Sequence, residues 1–290
     1  MGPLFAGAAG LRETVFIRDA MRHPFSLDGH SLNIAPSIGI AHYPEHGELP
    51  QQLLKHADQA MYQAKRLGRN SIQRYAEQQT ESARQRMRME TSLRRAVEDS
   101  AFEVWLQPQV ELGSGKLTGF EALCRWPTGD GKYVPPSDFI PLAETTGLIV
   151  SIGEFVLRQT CRTITTWRAR GFTPPTIAVN VSGRQLRRLD FLSSLCTILE
   201  EEGCRPEWLE LEVTESDILK DAEPAIATLH GIREMGIGLS LDDFGTGFSS
   251  LSYLKRLPIQ MLKIDRSFVD GLPADANDRA IVTAVLAMGH

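Results

Sequence analysis

An apolar strand, two adjacent carboxylates and a glycine-containing loop follow one another in the stretch Ile237-Gly238-Leu239-Ser240-Leu241-Asp242-Asp243-Phe244-Gly245-Thr246-Gly247-Phe248-Ser249-Ser250-Leu251. Asp242 and Asp243 stand where the strand gives way to the loop. Carboxylates at the mouth of a buried strand are costly unless a positive group meets them. Taken alone, the stretch is also compatible with a surface turn, because aspartate and glycine are common turn residues. Both interpretations stay open until the rest of the chain is considered.

The composition restricts the class of protein. The chain has 290 residues, is 42% hydrophobic and 23% charged, and carries a net charge of -5, which predicts one or two globular domains. A dedicated binder of long nucleic acid would usually be basic, so none is expected, whereas a small anionic substrate stays compatible because a local metal site can override the overall charge. Neither a signal peptide nor an apolar run of membrane-spanning length is visible. The four cysteines lack metal-ligand spacing, so we expect a soluble, cytoplasmic chain with reduced thiols, although a longer parent could carry a membrane anchor.

Strands and helices alternate from residue 102 onward. The predicted strands cover residues 102–111, 117–126, 176–181, 208–213, 238–242 and 261–265. The predicted helices cover residues 137–145, 151–171, 184–202, 221–235 and 277–288, and Ser151 with Glu154 is taken as a capping box that begins the second of them. Such alternation with near-continuous apolar strands is typical of a parallel sheet that closes into a (β/α)8 barrel. We count about six strands, so the predicted fold is an α/β, incomplete TIM-like barrel.

Polar residues interrupt these apolar strands near their C-terminal ends. The interrupting residues are Glu121, Asn180, Glu212, Asp242 and Asp243. Barrel chemistry lies at the C-terminal ends of the strands, and ligand sets made only of oxygen select Mg²⁺, Mn²⁺ or Ca²⁺. Carboxylates from separate strands can hold two such ions for hydrolysis of a phosphodiester. Lys263 would then orient the water or offset phosphate charge, and Arg125 would grip an anionic substrate.

Each of these polar residues also has a structural interpretation. Any one of them can be a strand-end group bonded to the backbone, and for Asp265 the structural and functional interpretations are level. For Glu121, Asn180, Glu212 and Asp242, recurrence within apolar runs argues against chance, because an unpaired charge there is expensive.

Five motifs together resemble the EAL family of cyclic di-GMP phosphodiesterases over residues 88–290. In order they are Glu121-Ala122-Leu123 with Arg125-Trp126, Asn180-Val181-Ser182, Glu212-Val213-Thr214-Glu215, Asp242-Asp243-Phe244-Gly245-Thr246-Gly247 and Lys263-Ile264-Asp265. The resemblance implies a modified barrel whose first strand is antiparallel to the others. It also implies hydrolysis of cyclic di-GMP to linear pGpG with Mg²⁺ or Mn²⁺, Ca²⁺ being a non-productive substitute.

The resemblance assigns roles to particular residues. The implied metal ligands are Glu121, Asn180, Glu212, Asp242 and Asp243. Lys263 would assist the catalytic water, and Glu215 would anchor the loop after Asp243, which in the family couples substrate, metal and dimerisation. The implied substrate-binding positions are Gln107, Arg125, Pro141, Glu144 and Asp265. A homodimer formed through that loop is therefore a possible assembly.

The front of the chain resembles a second family. Pro36-Ser37-Ile38-Gly39-Ile40-Ala41 and residues 57–70 look like the closing half of a GGDEF domain, the family that makes cyclic di-GMP from GTP. The GGDEF signature is absent from the sequence, so no cyclase function is expected. We assign residues 1–75 to the C-terminal portion of a GGDEF-type α/β domain, 76–99 to a linker helix and 100–290 to the EAL domain lacking its last strands.

The chain departs from the EAL pattern after Lys263-Ile264-Asp265. The family continues with a strand ending in Ala-Glu-Gly-Val-Glu, whose first glutamate serves the metal site and catalysis, and with a last strand bearing a glutamine. Neither occurs in the 290 residues. We therefore expect little or no hydrolysis by this chain. The alternatives are a catalytically inactive module that binds cyclic di-GMP and a fragment without function.

Overall fold

A computed structural model describes most of the chain. The described residues are 16–17, 20–21, 25–27, 30–32, 36–66, 71–245 and 254–288. The chain divides into two compact units, residues 1–89 and 90–290. The domain boundaries expected at residues 75 and 100 stay a prediction.

The first unit contains two small sheets and one long helix. Its elements are β1 (Phe25–Leu27), β2 (His30–Leu32), β3 (Ile38–Ile40), α1 (Pro50–Arg66) and β4 (Ile72–Arg74). Strands β1 and β2 pair antiparallel, whereas β3 and β4 pair parallel. Gly39 allows the close packing of β3 on α1, since a Cβ atom there would overlap the backbone of Ala57 and Met61. The α/β character expected for this region is thereby confirmed.

The second unit is built on a mostly parallel sheet. Its strands are β5 (Glu103–Val110), β6 (Leu117–Pro127), β7 (Tyr133–Val134), β8 (Thr176–Asn180), β9 (Leu209–Thr214), β10 (Gly238–Phe244) and β11 (Met261–Ile264). The order across the sheet is β11-β10-β9-β8-β6-β5, and β7 pairs with β6. The neighbours β6, β8, β9, β10 and β11 pair parallel, whereas β5 and β7 both run antiparallel to β6. Among the described residues the sheet does not close, so the incomplete barrel and its antiparallel first strand are both confirmed.

Helices connect the strands and cover the sheet. They are α2 (Glu77–Glu98), α3 (Pro136–Thr146), α4 (Ile149–Ala169), α5 (Gly183–Leu186), α6 (Phe191–Glu202), α7 (Glu215–Leu219), α8 (Ala222–Glu234), α9 (Ser267–Asp270) and α10 (Ala276–Met288), with a 3₁₀ turn at Pro206–Trp208. In β9 the apolar residues Leu209, Leu211 and Val213 are fully buried, as are Leu229 and Ile232 of α8. The core of this unit therefore lies where the helices meet the central strands.

Two local predictions were wrong. Helix α4 begins at Ile149, after Leu148 at the N-cap, and Ser151 lies inside it. The predicted helix over residues 184–202 is two helices, α5 and α6. A capping box does occur nearby, at Ser182 and Gln185, where it begins α5.

No single helix among the described residues has both the length and the apolar character needed to cross a bilayer. Helices α3 and α4 reach that length and composition only as a pair, and the pair is bent by 118°.

Truncating the buried Leu211 side chain should destabilise the sheet. We expect Leu211→Ala to lower the free energy of unfolding by about 2–5 kcal/mol, because a cavity adds to the lost burial of the leucine. Urea denaturation followed by circular dichroism measures the change. Leu189→Ala is the matched control, since Leu189 is fully exposed. Equal midpoints for the two variants would show that β9 is not at the centre of the core.

Candidate functional site

The register of the central strands gathers the predicted metal ligands at one end of the sheet. Asn180, at the end of β8, pairs with Glu212 of β9. Glu212 in turn pairs with Ser240, two residues before Asp242 in β10. Because the strands are parallel, their C-terminal ends meet at the same edge, which is the active edge of barrel enzymes.

The ammonium group of Lys263, on β11, lies between carboxylates from three other strands. Its Nζ atom is 2.7 Å from Glu212 Oε2 and 3.4 Å from both Glu121 Oε2 and Asp242 Oδ2. Asn180 Nδ2 donates to the other oxygen of Glu121, at 2.8 Å. We call these five residues the carboxylate–lysine cluster. The structure thus brings together four of the five predicted metal ligands with the predicted catalytic lysine.

Glu212 is the most buried member of the cluster. It is only 1% exposed, and its Oε1 atom is buried without a hydrogen-bond partner among the described residues. Burial raises the pKa of Glu212 to about 7, against the opposing pull of Lys263. Burial disfavours the charge of Lys263, but the surrounding carboxylates outweigh it and raise the pKa of the lysine above its usual value. The cluster therefore keeps one permanent positive charge beside a carboxyl that titrates near neutrality.

A β-bulge places Asp242 and Asp243 next to each other in the site. The flanking pairs are Leu241 with Leu262 and Phe244 with Ile264. Two aspartates therefore stand opposite the single residue Lys263, which defines a bulge. Asp243 has a φ of 53°, a left-handed conformation that aspartate tolerates better than most residues. In a regular strand neighbouring side chains point to opposite faces, and a bulge removes that restriction.

Asp243 and Asp265 interact beside the cluster. Burial raises the pKa of Asp243, and the negative charges of Asp242 and Asp265 add to the effect. The pKa of Asp265 is lowered instead, first by the hydroxyl of Ser267 and then by its backbone N–H, which donates to Asp265 Oδ1 at 2.9 Å. Asp265 thus accepts hydrogen bonds that stabilise a local turn, and it also contacts Asp243, a predicted metal ligand. These contacts are compatible with both a structural and a functional role.

The cluster has the chemistry of a site for a hard divalent cation. All of its acceptor atoms are carboxylate or amide oxygens, the ligand type that Mg²⁺ and Mn²⁺ prefer. The unpartnered Oε1 of Glu212 is a buried acceptor whose desolvation a cation would offset. The residues present therefore fit the metal that the sequence predicted.

A pocket of about 280 Å³ opens beside the cluster. Arg125, Glu144, Asn180 and Glu212 all line it, so two predicted substrate-binding residues share a cavity with two predicted metal ligands. Burial raises the pKa of Glu144, and Asp217 adds to that effect. The apolar wall comes mainly from α4, through residues such as Ile149, Ile152 and Val156.

The remaining predicted site residues lie outside that lining. Gln107 is exposed on β5 directly opposite Glu121. Pro141 is exposed on α3 and is not among the lining residues. Glu215 is buried as the first residue of α7, immediately after β9. The loop it was expected to anchor includes residues 246–253, which lie outside the described residues, so that role stays a prediction.

Most of the lining residues were not predicted from the sequence, and two of them form a pair at the start of α5. Ser182 and Gln185 line the pocket and form the capping box of α5. The Ser-x-x-Gln spacing after Asn180 is a recognisable signal of a helix start. Gly153 of α4 makes room for this pair, because a Cβ atom there would overlap the amide of Gln185. Only the fold brings α4 and α5 together, so the pairing is invisible in the sequence.

The titration of Glu212 predicts how metal binding depends on pH. A cation needs the ionised carboxylate, and with a pKa of about 7 Glu212 is mostly protonated at pH 6 and mostly ionised at pH 8. We expect the affinity for Mn²⁺ to rise about tenfold between these pH values. The free energy of unfolding of the metal-free chain should fall as the pH rises from about 4.5 to about 7, because the raised pKa means that the folded state binds the proton more tightly.

Electron paramagnetic resonance of free Mn²⁺ measures this affinity. The variant Glu212→Gln cannot ionise and should lose the pH dependence, whereas Glu200→Gln, on the exposed face of α6, should keep it. An affinity that stays constant from pH 6 to pH 8 in the unmodified chain would contradict the prediction.

Comparison with known proteins identifies both units. The family model "EAL domain" matches residues 90–290, and the model "Diguanylate cyclase, GGDEF domain" matches residues 14–71. The bifunctional diguanylate cyclase/cyclic di-GMP phosphodiesterase MucR of Pseudomonas aeruginosa is 41% identical over 98% of this chain and 41% of its own length. The cyclic di-GMP phosphodiesterase NbdA of the same organism is 39% identical over 93% of this chain and 34% of its own length. The chain thus spans about two fifths or less of these curated relatives.

Solved structures give the same result. The PaMucR phosphodiesterase in its c-di-GMP complex is similar at a TM-score of 0.66 and 43% identity, over 70% of this chain and 82% of that one. The EAL enzyme Bd1971 with cAMP and cyclic-di-GMP bound is similar at a TM-score of 0.68 and 31% identity, over 85% of this chain and 65% of that one. Both sequence resemblances are confirmed, and the chain belongs to the EAL domain family.

Proposed function

We propose that the EAL unit binds cyclic di-GMP and, with Mg²⁺ or Mn²⁺, hydrolyses one of its phosphodiester bonds to give linear pGpG. The observation that carries the proposal is the carboxylate–lysine cluster, a set of oxygen ligands around the buried Glu212, which adjoins a pocket lined by Arg125. Cyclic di-GMP phosphodiesterases among the relatives and a solved complex with c-di-GMP support this ligand.

The metal would be held by Glu121, Asn180, Glu212, Asp242 and Asp243. When bound, such cations supply Lewis-acid chemistry, withdrawing charge from a phosphoryl oxygen and stabilising the attacking and leaving oxygens. Support comes from the unpartnered Oε1 of Glu212 and from the bulge in which Asp242 and Asp243 stand opposite Lys263. EAL domains are generally metal-dependent phosphodiesterases, and the choice of Mg²⁺ or Mn²⁺ is part of the proposal.

Lys263 is assigned the role of a charged hydrogen-bond donor. Its raised pKa keeps the ammonium protonated throughout the physiological range, so Nζ cannot serve as a general base. The group can instead donate to the oxygen of a water molecule or of a phosphate and thereby orient it. Its pairing with three carboxylates fixes its position before any ligand arrives.

The pocket residues would bind and orient the nucleotide. The Arg125 guanidinium donates to the carbonyl of Cys124 at 3.0 Å, which leaves further N–H donors for a phosphate. Glu144 and Gln107 offer polar groups for the bases, and the half-buried position of Glu144 suits an acceptor for guanine N–H groups. Pro141 and Asp265 are the most peripheral of the proposed contacts.

Binding should be measurable without turnover. We expect the chain to bind cyclic di-GMP in the presence of Ca²⁺, and Asp242→Asn to weaken binding about tenfold or more, because a charged metal ligand is lost. Isothermal titration calorimetry measures the Kd. Asp190→Asn is the matched control, since Asp190 is exposed and pairs with Arg188 away from the cluster. Absence of heat with the unmodified chain would refute the proposed ligand.

The second candidate is a module that binds cyclic di-GMP without hydrolysing it. It is favoured by the contacts of Lys263 with Glu212, Glu121 and Asp242, which already neutralise these carboxylates in part.

The two candidates differ in product formation. With Mn²⁺ the hydrolase should yield pGpG that Glu121→Ala abolishes, because a metal ligand is lost, whereas the binding module should yield none. Chromatography of the nucleotides after incubation measures the product. Binding of cyclic di-GMP without any pGpG would contradict the proposed hydrolysis and establish the binding module.

Assembly and location complete the proposal. We propose a homodimer formed through the loop after Asp243, although residues 246–253 lie outside the described part of the chain. A single monomeric species in analytical ultracentrifugation with ligand would refute the dimer.

A cytoplasmic location is supported by the free thiols of Cys124, Cys161, Cys196 and Cys204. Recovery of the protein in another cell fraction would overturn that location.

A further inference from the structure

Strands β5 and β6 continue past the end of β8 and form a rim beside the cluster. The pairing of β6 with β8 ends at Ala122, whereas its pairing with β5 continues to Arg125, opposite Glu103. Trp105 stands opposite Leu123, two residues beyond Glu121. Directly opposed residues of an antiparallel pair share a face, and so do residues two apart in one strand. Trp105 is therefore on the same face as Glu121, displaced toward the mouth.

On the opposite face of this rim, aromatic side chains pack into a core. Trp126 contacts Phe102 and Phe139, with ring centroids 6.3 and 5.7 Å away, and Phe102 also contacts Phe155 at 6.1 Å. Trp105 takes no part in that packing and is 48% exposed.

Trp105 is nevertheless held in place. Its Nε1 atom donates to Glu103 Oε2 at 3.0 Å, and the hydroxyl of Tyr133 donates to the same oxygen at 3.0 Å. The Tyr133 ring lies at 72° to the indole with centroids 5.2 Å apart, and the Arg125 guanidinium lies over one face of the indole, 5.4 Å from its centroid. An exposed indole that is held by these contacts and has one face left for a ligand is a preorganised surface for a planar group.

We propose that Trp105 is the stacking surface for one guanine base of the bound cyclic dinucleotide, with Arg125 beside it facing the phosphate. The assignment rests on the proposed function. Every nucleobase has a π face that stacks on aromatic side chains, and Trp105 lies one step along the strand face from Glu121, within reach of a base whose phosphate is at the cluster. Glu103 and Tyr133 act as positioning residues that hold the indole.

Calorimetry with cyclic di-GMP and Ca²⁺ on the full chain tests this role. Trp105→Ala should raise the Kd about 5- to 150-fold, the equivalent of roughly 1–3 kcal/mol for one stacked base. Trp105→Phe keeps an aromatic face and should stay much closer to the unmodified chain. Trp208→Ala is the matched control, because that indole lies under Arg168 at the start of β9, at the opposite end of the sheet, and its Kd should not change.

A second measurement tests the same role even if Trp105→Ala fails to fold. In the chain labelled with fluorotryptophan, the ¹⁹F resonance missing from Trp105→Phe belongs to Trp105, and it should shift on addition of cyclic di-GMP. An unshifted resonance, or an unchanged Kd in folded Trp105→Ala, would overturn the stacking role while the proposed function stands. Failure of the unmodified chain to bind cyclic di-GMP would overturn the proposed function and the stacking role together.

Discussion

The ion pair between Lys263 and Glu212 is the constraint around which the second unit is arranged. Glu212 is almost fully excluded from water, and a buried carboxylate without a counter-charge is strongly destabilising. The 2.7 Å contact with Lys263 supplies that charge, and it requires β9, β10 and β11 to keep one register. A slip of one residue would turn the lysine or the glutamate to the opposite face of the sheet.

The same constraint explains why the site is both stable and reactive. The single positive charge of Lys263 offsets only part of the negative charge of three carboxylates, so the cluster keeps excess negative charge. It also keeps an unpartnered oxygen, Oε1 of Glu212. This arrangement favours entry of a divalent cation, which offsets the residual charge more fully than one ammonium group. The bulge at Asp243 extends the set of oxygens without moving β10 from its register, since only one additional residue is accommodated.

Much of this organisation could be predicted from the sequence, because burial leaves a clear pattern. Glu121, Asn180, Glu212 and Asp242 stand out in apolar runs, and apolar runs alternating with helices indicate parallel strands. Other features depend on contacts that no local pattern encodes. Ser151 and Glu154 have the spacing of a capping box, yet α4 begins two residues earlier because Ile149 and Ile152 are buried in the packed unit. Similarly, the bulge at Asp243 depends on the pairing of β10 with β11, and the exposure of Trp105 depends on how far β6 extends past β8.

The central claim is that the carboxylate–lysine cluster is a divalent cation site at which cyclic di-GMP is bound. A crystal structure of the chain grown with Mn²⁺ and cyclic di-GMP, with anomalous data at the manganese edge, tests it most directly. We predict anomalous density within coordination distance of Glu121, Glu212 and Asp242, with a phosphate of the nucleotide next to it. Bound nucleotide elsewhere, with Lys263 still paired to the three carboxylates and no anomalous density between them, would contradict the account.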